Sequence, residues 1–409
     1  MKVLHLWVSD SPEIGGGGAG SMFRLHNGLR EAGIDSSILC EAKTTTDPHV
    51  VTKPKINGIE KTIRKFTSNI GLNDIHRISS FRLDHLPVYQ EADIVNFHGL
   101  LGGFVNYLAL PRLTAAKPTV FTLRSMWSMT GHCGFSLDCD RWKTGCGSCP
   151  YPESHPPIKR DATSLEWKLK KWAFNHSKLT LVTLSTWLKD QVRESLLKDL
   201  PTYTIANGVD TDTYQAMEPQ TCRALLGIPE GKLVLMFMAV SLSSYRKGGD
   251  LLIAALEKLP EAMKKKVVLL LLGHNSAQIA WKVTIPTVEL GYLDHPRLKA
   301  MAYSAADLFV FPTRAESFGQ VILESMACGT PVAGFCLGPM PELIRPNSTG
   351  VLAEPENPQS LCDGIVAFLE DEQAQEAMRL QCRRMAVNEY SISREAENYL
   401  KLYRHVLGY

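Results

Sequence analysis

No apolar run in this 409-residue chain approaches the ~20 residues that a helix needs to cross a bilayer. The longest, Leu233 to Val240 and Val267 to Leu272, have the length of buried strands. The segment Met1 to Val8 breaks at Ser9-Asp10 and is too short for the apolar core of a signal peptide. The expected location is therefore the cytoplasm, with peripheral contact on the inner face of the cell membrane left open. An excess of one charge is also missing. Lys plus Arg number 44 and Asp plus Glu 42, a net +2. A surface built to clamp nucleic acid is far more basic, so no nucleic-acid partner is expected. There is no repeat of fixed period, and no low-complexity tract beyond Gly15 to Gly18.

What is present is a globular composition, 44% hydrophobic and 21% charged, which excludes disorder as the main state. The length exceeds what one core usually carries. Short apolar strands alternate with amphipathic helical stretches, the pattern of parallel α/β sheets. In the first half, strands are predicted at Val3 to Val8, Ser36 to Cys40, Asp93 to Phe97, Thr119 to Leu123 and Leu179 to Leu184, with a helix from about Gly20 to Ala32 after a glycine loop. A second series starts at Tyr203 to Ala206 and continues at Leu233 to Val240, Val267 to Leu272, Thr287 to Leu290, Asp307 to Phe311 and Pro331 to Gly334. Helices are expected at Gly249 to Leu259, Pro296 to Ser304 and Phe318 to Ala327, and from Pro358 to the C-terminus. The expected architecture is two Rossmann-like domains facing a central cleft. Residues 1–199 form the first, 200–388 the second, and 389–409 a C-terminal helix that can pack back on the first. Ligands of open parallel sheets bind beyond the carboxyl ends of the strands, which gathers the loops after Val8, Phe97, Val240 and Phe311.

Three motifs lie on such loops. Gly15-Gly-Gly-Gly-Ala-Gly20 contains G-x-G-x-x-G, and Glu41 stands where a dinucleotide fold places its acid. Six residues, Ser9 to Ile14, separate it from the strand end, which is long for a dinucleotide turn. A phosphate- or sugar-facing loop and a flexible turn are the other readings. Arg246-Lys247-Gly248 precedes a helix, where two cations can neutralise a pyrophosphate; an ordinary solvated loop is the bland alternative. Glu316 and Glu324 are two helical turns apart, roughly 12 Å of axis. That spread suits hydroxyls at two points of an extended ligand better than one shared metal.

Glu316-Ser-Phe-Gly-Gln-Val-Ile-Leu-Glu324, followed by Ser-Met-Ala-Cys-Gly-Thr-Pro-Val332, resembles the donor-site signature of the retaining glycosyltransferases of family 4, which have the GT-B fold. Asn207-Gly-Val-Asp210 with Tyr214, Arg246-Lys247-Gly248, the glycine loop and His98 fall where that family has its equivalents. The resemblance implies a nucleotide-diphosphate sugar donor, UDP- or GDP-linked, with no metal at the donor site. It implies that Arg246 and Lys247 bind the diphosphate and that Glu324 holds the ribose. Glu316, with the backbone of Ser317, Phe318 and Gly319, would hold the transferred sugar. His98 would approach that sugar, although a structural histidine is an equal reading; Asn207 would contact the donor, and Gly16, Gly17 and Gly18 would contact its phosphate or the acceptor. It further implies retention by front-side attack, and a glycan or lipid-linked acceptor in polysaccharide biosynthesis of the bacterial exopolysaccharide and colanic-acid type. Arg124-Ser125 departs from the His-Asp that many relatives carry there, and Gly273-His-Asn-Ser276 is poorer in glycine than usual.

Four of the ten cysteines, Cys133, Cys139, Cys146 and Cys149, crowd the segment 131–150. In a reducing compartment that spacing suggests a structural zinc site, with His132 as a substitute ligand. Packed thiols, a disulfide and an iron–sulfur site are alternatives. Ile158-Lys-Arg160 and Lys168 to Trp172 form a basic stretch with interleaved tryptophans, suited either to an anionic membrane surface or to a solvated helix with its tryptophans in the core. Two rival functions remain: an NAD-dependent oxidoreductase using Gly15 to Gly20 with Glu41, and a zinc-stabilised binding protein without activity.

Overall fold

A computed structural model describes the chain from residue 1 to 409, with the side chains of residues 12–15 outside the description. The chain divides into two compact units. One comprises Met1–Gly208 and Ile392–Tyr409, the other Val209–Ser391.

The first unit is built on seven strands: β1 (Lys2–Leu6), β2 (Asp35–Cys40), β3 (Val50–Thr52), β4 (Ile94–Phe97), β5 (Thr119–Leu123), β6 (Thr180–Thr183) and β7 (Thr202–Thr204). All neighbours are parallel, in the order β3-β2-β1-β4-β5-β6-β7. Strands β4 and β5 are buried at every residue, as expected where helices cover both faces of a parallel sheet. The second unit has six strands: β8 (Leu233–Ser241), β9 (Val267–His274), β10 (Thr287–Gly291), β11 (Leu308–Phe311), β12 (Val332–Phe335) and β13 (Gly350–Ala353). These too are parallel, in the order β10-β9-β8-β11-β12-β13. The fold is thus α/β with two Rossmann-like sheets.

Each sheet reverses its winding once, between β1 and β4 in the first unit and between β8 and β11 in the second. Loops leaving the carboxyl ends of two such strands diverge and open a crevice.

Several expectations are corrected. The strand expected to open the second series, Tyr203 to Ala206, is β7 and pairs with β6 in the first sheet. The helix expected from about Gly20 spans Pro12–Glu31, broken at Gly16 where φ is +65°. Proline at the first turn starts the helix early, so the glycine run interrupts it instead of preceding it. The helix expected from Phe318 begins at Gln320.

The last helix, Ile392–Leu407, belongs to the first unit. Its Tyr399 and Tyr403 hydroxyls bond Thr122 Oγ1 at 3.0 Å and Asn96 Nδ2 at 2.8 Å, tying it to β5 and β4. A Cβ on Gly28 would lie 2.4 Å from Ile392 Cγ2, so the helix packs closely on Pro12–Glu31.

Candidate functional site

In the second unit the turn after β8 and the loop after β11 meet at the β8/β11 reversal. Arg246 and Lys247 sit on a short turn, Tyr245–Lys247, which ends at Gly248 with φ +70°. A Cβ at Gly248 would stand 1.8 Å from the Pro312 carbonyl oxygen, so both its conformation and its contact demand glycine. Across this approach Arg314 N donates to Arg246 O at 2.8 Å, and Thr313 Oγ1 donates to the same carbonyl at 3.0 Å. The Arg314 guanidinium forks onto Asp250 at 2.8 and 2.6 Å, reaches Glu356 at 2.8 Å and lies over the Tyr245 ring. The two loops are therefore fastened together behind the functional groups.

In front of them Glu316 Oε2 accepts from Lys247 Nζ at 2.9 Å and from Arg246 Nη1 at 3.2 Å, while Oε1 accepts from Ser317 N at 3.0 Å. Burial would raise the Glu316 carboxyl, but Lys247 and then Arg246 override it and hold it at about 2. Burial lowers Lys247 and Glu316 supports its charge. Two cations against one ionised carboxylate leave one positive charge over among these three side chains, while Arg314 is matched by Asp250 and Glu356 behind them. Phe318 is buried with its ring 6.4 Å from that of Tyr390, and Gly319 caps the helix Gln320–Ala327 with φ +101°. Glu324 is buried on that helix beside Tyr303, whose hydroxyl is pushed well up, first by burial and then by the Glu324 charge.

In the first unit, β1 and β4 flank the corresponding reversal. His98, directly after β4, is wholly buried. Its Nδ1 meets Arg124 Nη2 at 2.8 Å and its Nε2 meets His5 Nδ1 at 2.8 Å. A guanidinium can only donate. His98 Nδ1 therefore accepts, and its Nε2–H donates to His5. Burial first, and then the neighbouring cation, keeps His98 neutral, and burial does the same for His5. Both ring nitrogens of His98 are thus engaged within the protein. Arg124 Nη1 also donates to Asn207 Oδ1. Glu395, from the last helix, accepts from Gly208 N at 2.7 Å; burial raises its carboxyl to about 7 against the opposing charge of Arg124. Gly16 and Gly17 have nothing within 4 Å of where a Cβ would be, whereas Gly18 backs onto Trp7. Ser21 Oγ donates to Gly17 O at 3.0 Å and Arg24 Nη2 donates to Ser21 Oγ at 3.0 Å.

The structure thus brings Arg246, Lys247, Glu316 and Ser317 into contact, with Phe318, Gly319 and Glu324 on the adjoining loop and helix. Separately, it joins His98 and Asn207 through Arg124. Sequence reasoning missed Arg314, Asp250, His5 and Glu395. Arg314 carried a faint signal in standing two residues before Glu316, while nothing near Glu395 marks it.

The cysteine segment is placed as follows. Among the described residues no three His, Cys, Asp or Glu side chains assemble as a metal-ligand set. Cys133, Cys139, Cys146 and Cys149 are free thiols. Cys149 Sγ meets His132 Nε2 at 3.2 Å, and Cys146 Sγ accepts from Gly131 N at 3.2 Å. Burial pushes the Cys133 and Cys146 thiols up to about 12 and about 11. Protein groups also hold the segment: Trp167 Nε1 donates to Trp142 O, and the buried Lys170 Nζ donates to the Trp127 and Thr130 carbonyls at 2.9 and 3.1 Å. Trp167 and Lys170 of the basic stretch are therefore core, and Trp172 is half-exposed. Glu41, the acid that an NAD reading needs on a ribose, is paired with Arg77.

The model for glycosyl transferases group 1 matches residues 221–385, and that for glycosyltransferase family 4 matches residues 15–213. A D-inositol 3-phosphate glycosyltransferase of Catenulispora acidiphila is 30% identical over 220 residues, 50% of this chain and 52% of the relative. The chain thus spans about half the length of that curated relative. Sucrose-phosphate synthase from Thermosynechococcus elongatus superposes with a TM-score of 0.71 at 18% identity, over 100% of both chains. The Anabaena protein HepE, solved in complex with UDP-glucose, superposes with a TM-score of 0.68 at 18% identity, over 99% of this chain and 100% of that one. These likenesses are of fold. The two family models together take in most of the chain, the strand orders are those of paired Rossmann-like sheets, and the chain belongs to the family 4 glycosyltransferases of the GT-B fold.

Proposed function

We propose that this protein is a retaining glycosyltransferase that moves a sugar from a UDP- or GDP-linked donor to a hydroxyl of a glycan or lipid-linked acceptor in polysaccharide biosynthesis. The observation that carries this reading is the Arg246–Lys247–Glu316 cluster at the β8/β11 reversal. Arg246 and Lys247 take the diphosphate, and Glu316 takes sugar hydroxyls on the lone pairs its present donors leave. An ionised carboxylate accepting from a hydroxyl makes a strong bond of roughly 1.5–3 kcal/mol. Glu324 takes the ribose, with Ser317, Phe318 and Gly319 shaping the loop between the two acids. The first unit takes the acceptor, with Gly16 to Gly18 at its glycine break. Arg124, itself bonded to Asn207, holds His98 in one tautomer, so His98 serves through its position, and Asn207 contacts the donor. HepE, of the same fold, binds UDP-glucose, which supports the donor class.

In the reaction the bond between the sugar's anomeric carbon and the diphosphate oxygen breaks, and the electron pair leaves on the diphosphate. The acceptor oxygen bonds to that carbon from the same face and its proton passes to the departing phosphate oxygen. Fixed cations stabilise the charge that develops there without reorganising. No helix among the described residues is long and apolar enough to cross a membrane. We place the protein in the cytoplasm, with peripheral contact at the membrane where a lipid-linked acceptor resides.

Lys247→Ala and Glu316→Ala are expected to cut turnover at least ~100-fold, about 2.7 kcal/mol of transition-state stabilisation, with the fold intact by circular dichroism. Turnover at the wild-type rate in both variants would contradict the assignment.

A further inference from the structure

The helix Gly58–Asn69 of the first unit is amphipathic in the opposite sense to a helix docked on a core. The side chains it buries against the protein include Glu60 and Thr67. Glu60 is held there by Ser79 N at 2.7 Å, by the Arg77 guanidinium at 3.7 Å and by a capping box with Asn57. Its solvent side instead carries Ile59 and Phe66, each about two-thirds exposed at 69% and 67%. Ile59, Ile63, Phe66 and Ile70 recur at spacings of four, three and four, which places them in one stripe along the axis. Burying an acid and exposing isoleucine and phenylalanine costs stability unless something covers the apolar stripe.

Charge says what covers it. Lys61, Arg64 and Lys65 are exposed on the same helix, and Lys55 precedes it. Its single acid is Glu60, which is buried and paired with Arg77. A second basic segment is fixed against the helix's end. Lys159 Nζ donates to Asn69 Oδ1 at 3.1 Å, Asn73 Nδ2 donates to Pro157 O at 3.2 Å, and a Cβ on Gly71 would stand 2.1 Å from Arg160 O. The exposed Lys159 and Arg160 therefore extend the basic rim. An apolar stripe, with Ile63 and Ile70 half-buried, on a helix whose polar face and C-terminal end carry cations is the pattern of a helix lying in an anionic lipid interface, where the stripe enters the headgroup boundary and the cations reach phosphates.

We propose that the helix Gly58–Asn69, with Lys159 and Arg160, is the surface by which this protein docks on an anionic bilayer. The inference deepens the membrane contact of the reading above by naming its surface. It is read without sugar transfer, so either claim can fail alone.

The test is co-sedimentation of the full chain with vesicles of 70% phosphatidylcholine and 30% phosphatidylglycerol, and with vesicles of phosphatidylcholine alone. The wild type should partition onto the anionic vesicles at least tenfold more strongly than onto the neutral ones, and release as salt rises. An Ile59→Ser/Phe66→Ser variant and a Lys61→Glu/Arg64→Glu/Lys65→Glu variant should each lose at least tenfold in binding. Both should keep the wild-type melting temperature, since the altered side chains face solvent. Equal binding to both vesicles, no binding to either, or unchanged binding by the variants overturns the proposal. So does a tenfold loss in Leu165→Ser/Trp172→Ser with the helix untouched, which would move the contact to the half-exposed face of Thr163–Asn175. A dimer of the wild type in solution that the Ile59→Ser/Phe66→Ser variant abolishes would assign the stripe to a second copy and overturn it as well.

Discussion

Arg124 illustrates how one side chain sets the state of several others. Its guanidinium can only donate, so its bond to His98 Nδ1 fixes the tautomer of His98 and, through it, the acceptor role of His5 Nδ1. Its charge also opposes the burial that raises Glu395. Arg124→Met should therefore cost roughly 2–4 kcal/mol, because it leaves a buried imidazole nitrogen and the Asn207 Oδ1 without their donor and removes the charge that opposes the burial of Glu395. Urea unfolding of Arg124→Met, Glu395→Gln and the double variant checks this. The double variant should be more stable than the sum of the single losses predicts, whereas strict additivity would deny the coupling. Glu395 also makes stability depend on pH. Its folded value of about 7 lies above its ordinary 4.5, so between these values the folded protein holds a proton that the unfolded chain has released. Its contribution is complete below about 4.5 and is lost as pH rises through 7. Glu166, raised to about 7 first by burial, acts in the same sense. Glu395→Gln should flatten the fall in unfolding free energy between pH 5 and 7.5; a curve parallel to that of the wild type would contradict this. Little of this cluster was legible in sequence. His98 and Asn207 fall in place by resemblance, but Arg124 links them across 26 and 83 positions, and the Glu395 whose charge it faces comes from the last helix, whose Tyr403 bonds a residue 307 positions earlier. At the cysteines, spacing was the whole of the signal. Their spacing suggests ligands, but His132 and Gly131 N engage two of the sulfurs, and no ligand set forms among the described residues.

At the scale of elements, the two glycine-bearing turns differ in what they tolerate. Gly248 sits under the Pro312 carbonyl at positive φ, so Gly248→Ala forces the Arg246–Lys247 turn away from the Glu316 loop. Turnover and melting temperature should fall together in that variant. Gly17 has open space around its Cβ direction. Gly17→Ala should leave stability unchanged or raise it by about 0.4–1 kcal/mol through the unfolded chain, while turnover falls if donor or acceptor approaches the bare backbone there. Equal turnover in Gly17→Ala and wild type would remove the glycine break from the proposed site. Long apolar strands such as Leu233–Ser241 and Val267–His274 were legible because a buried parallel strand is continuously apolar. β3 and β13 were not, since Val50–Thr52 is exposed at two of its three residues and Gly350–Ala353 is half-buried at two of its four, so neither reads as a buried run. The short strand Thr202–Thr204 was assigned to the wrong sheet, because partners across a sheet leave no mark in local composition.

At the scale of the molecule, both sheets reverse once, and each reversal carries a polar cluster: His5, His98 and Arg124 in the first, Arg246, Lys247 and Glu316 in the second. This follows from topology, since loops that diverge at a reversal are the ones able to present side chains to a ligand. The alternating pattern made the sheets legible, and the glutamate motif made the second cluster legible. The strand order that gives both clusters their place could be read only from the fold. We assign the diphosphate of a nucleotide sugar to the second cluster. The most direct test of this assignment is a thermal-shift series of the wild type and Lys247→Ala with UDP, GDP and NAD. The account predicts that UDP or GDP raises the melting temperature of the wild type and leaves Lys247→Ala unmoved. A shift with NAD alone, or one with a nucleoside diphosphate that Lys247→Ala retains in full, would contradict it.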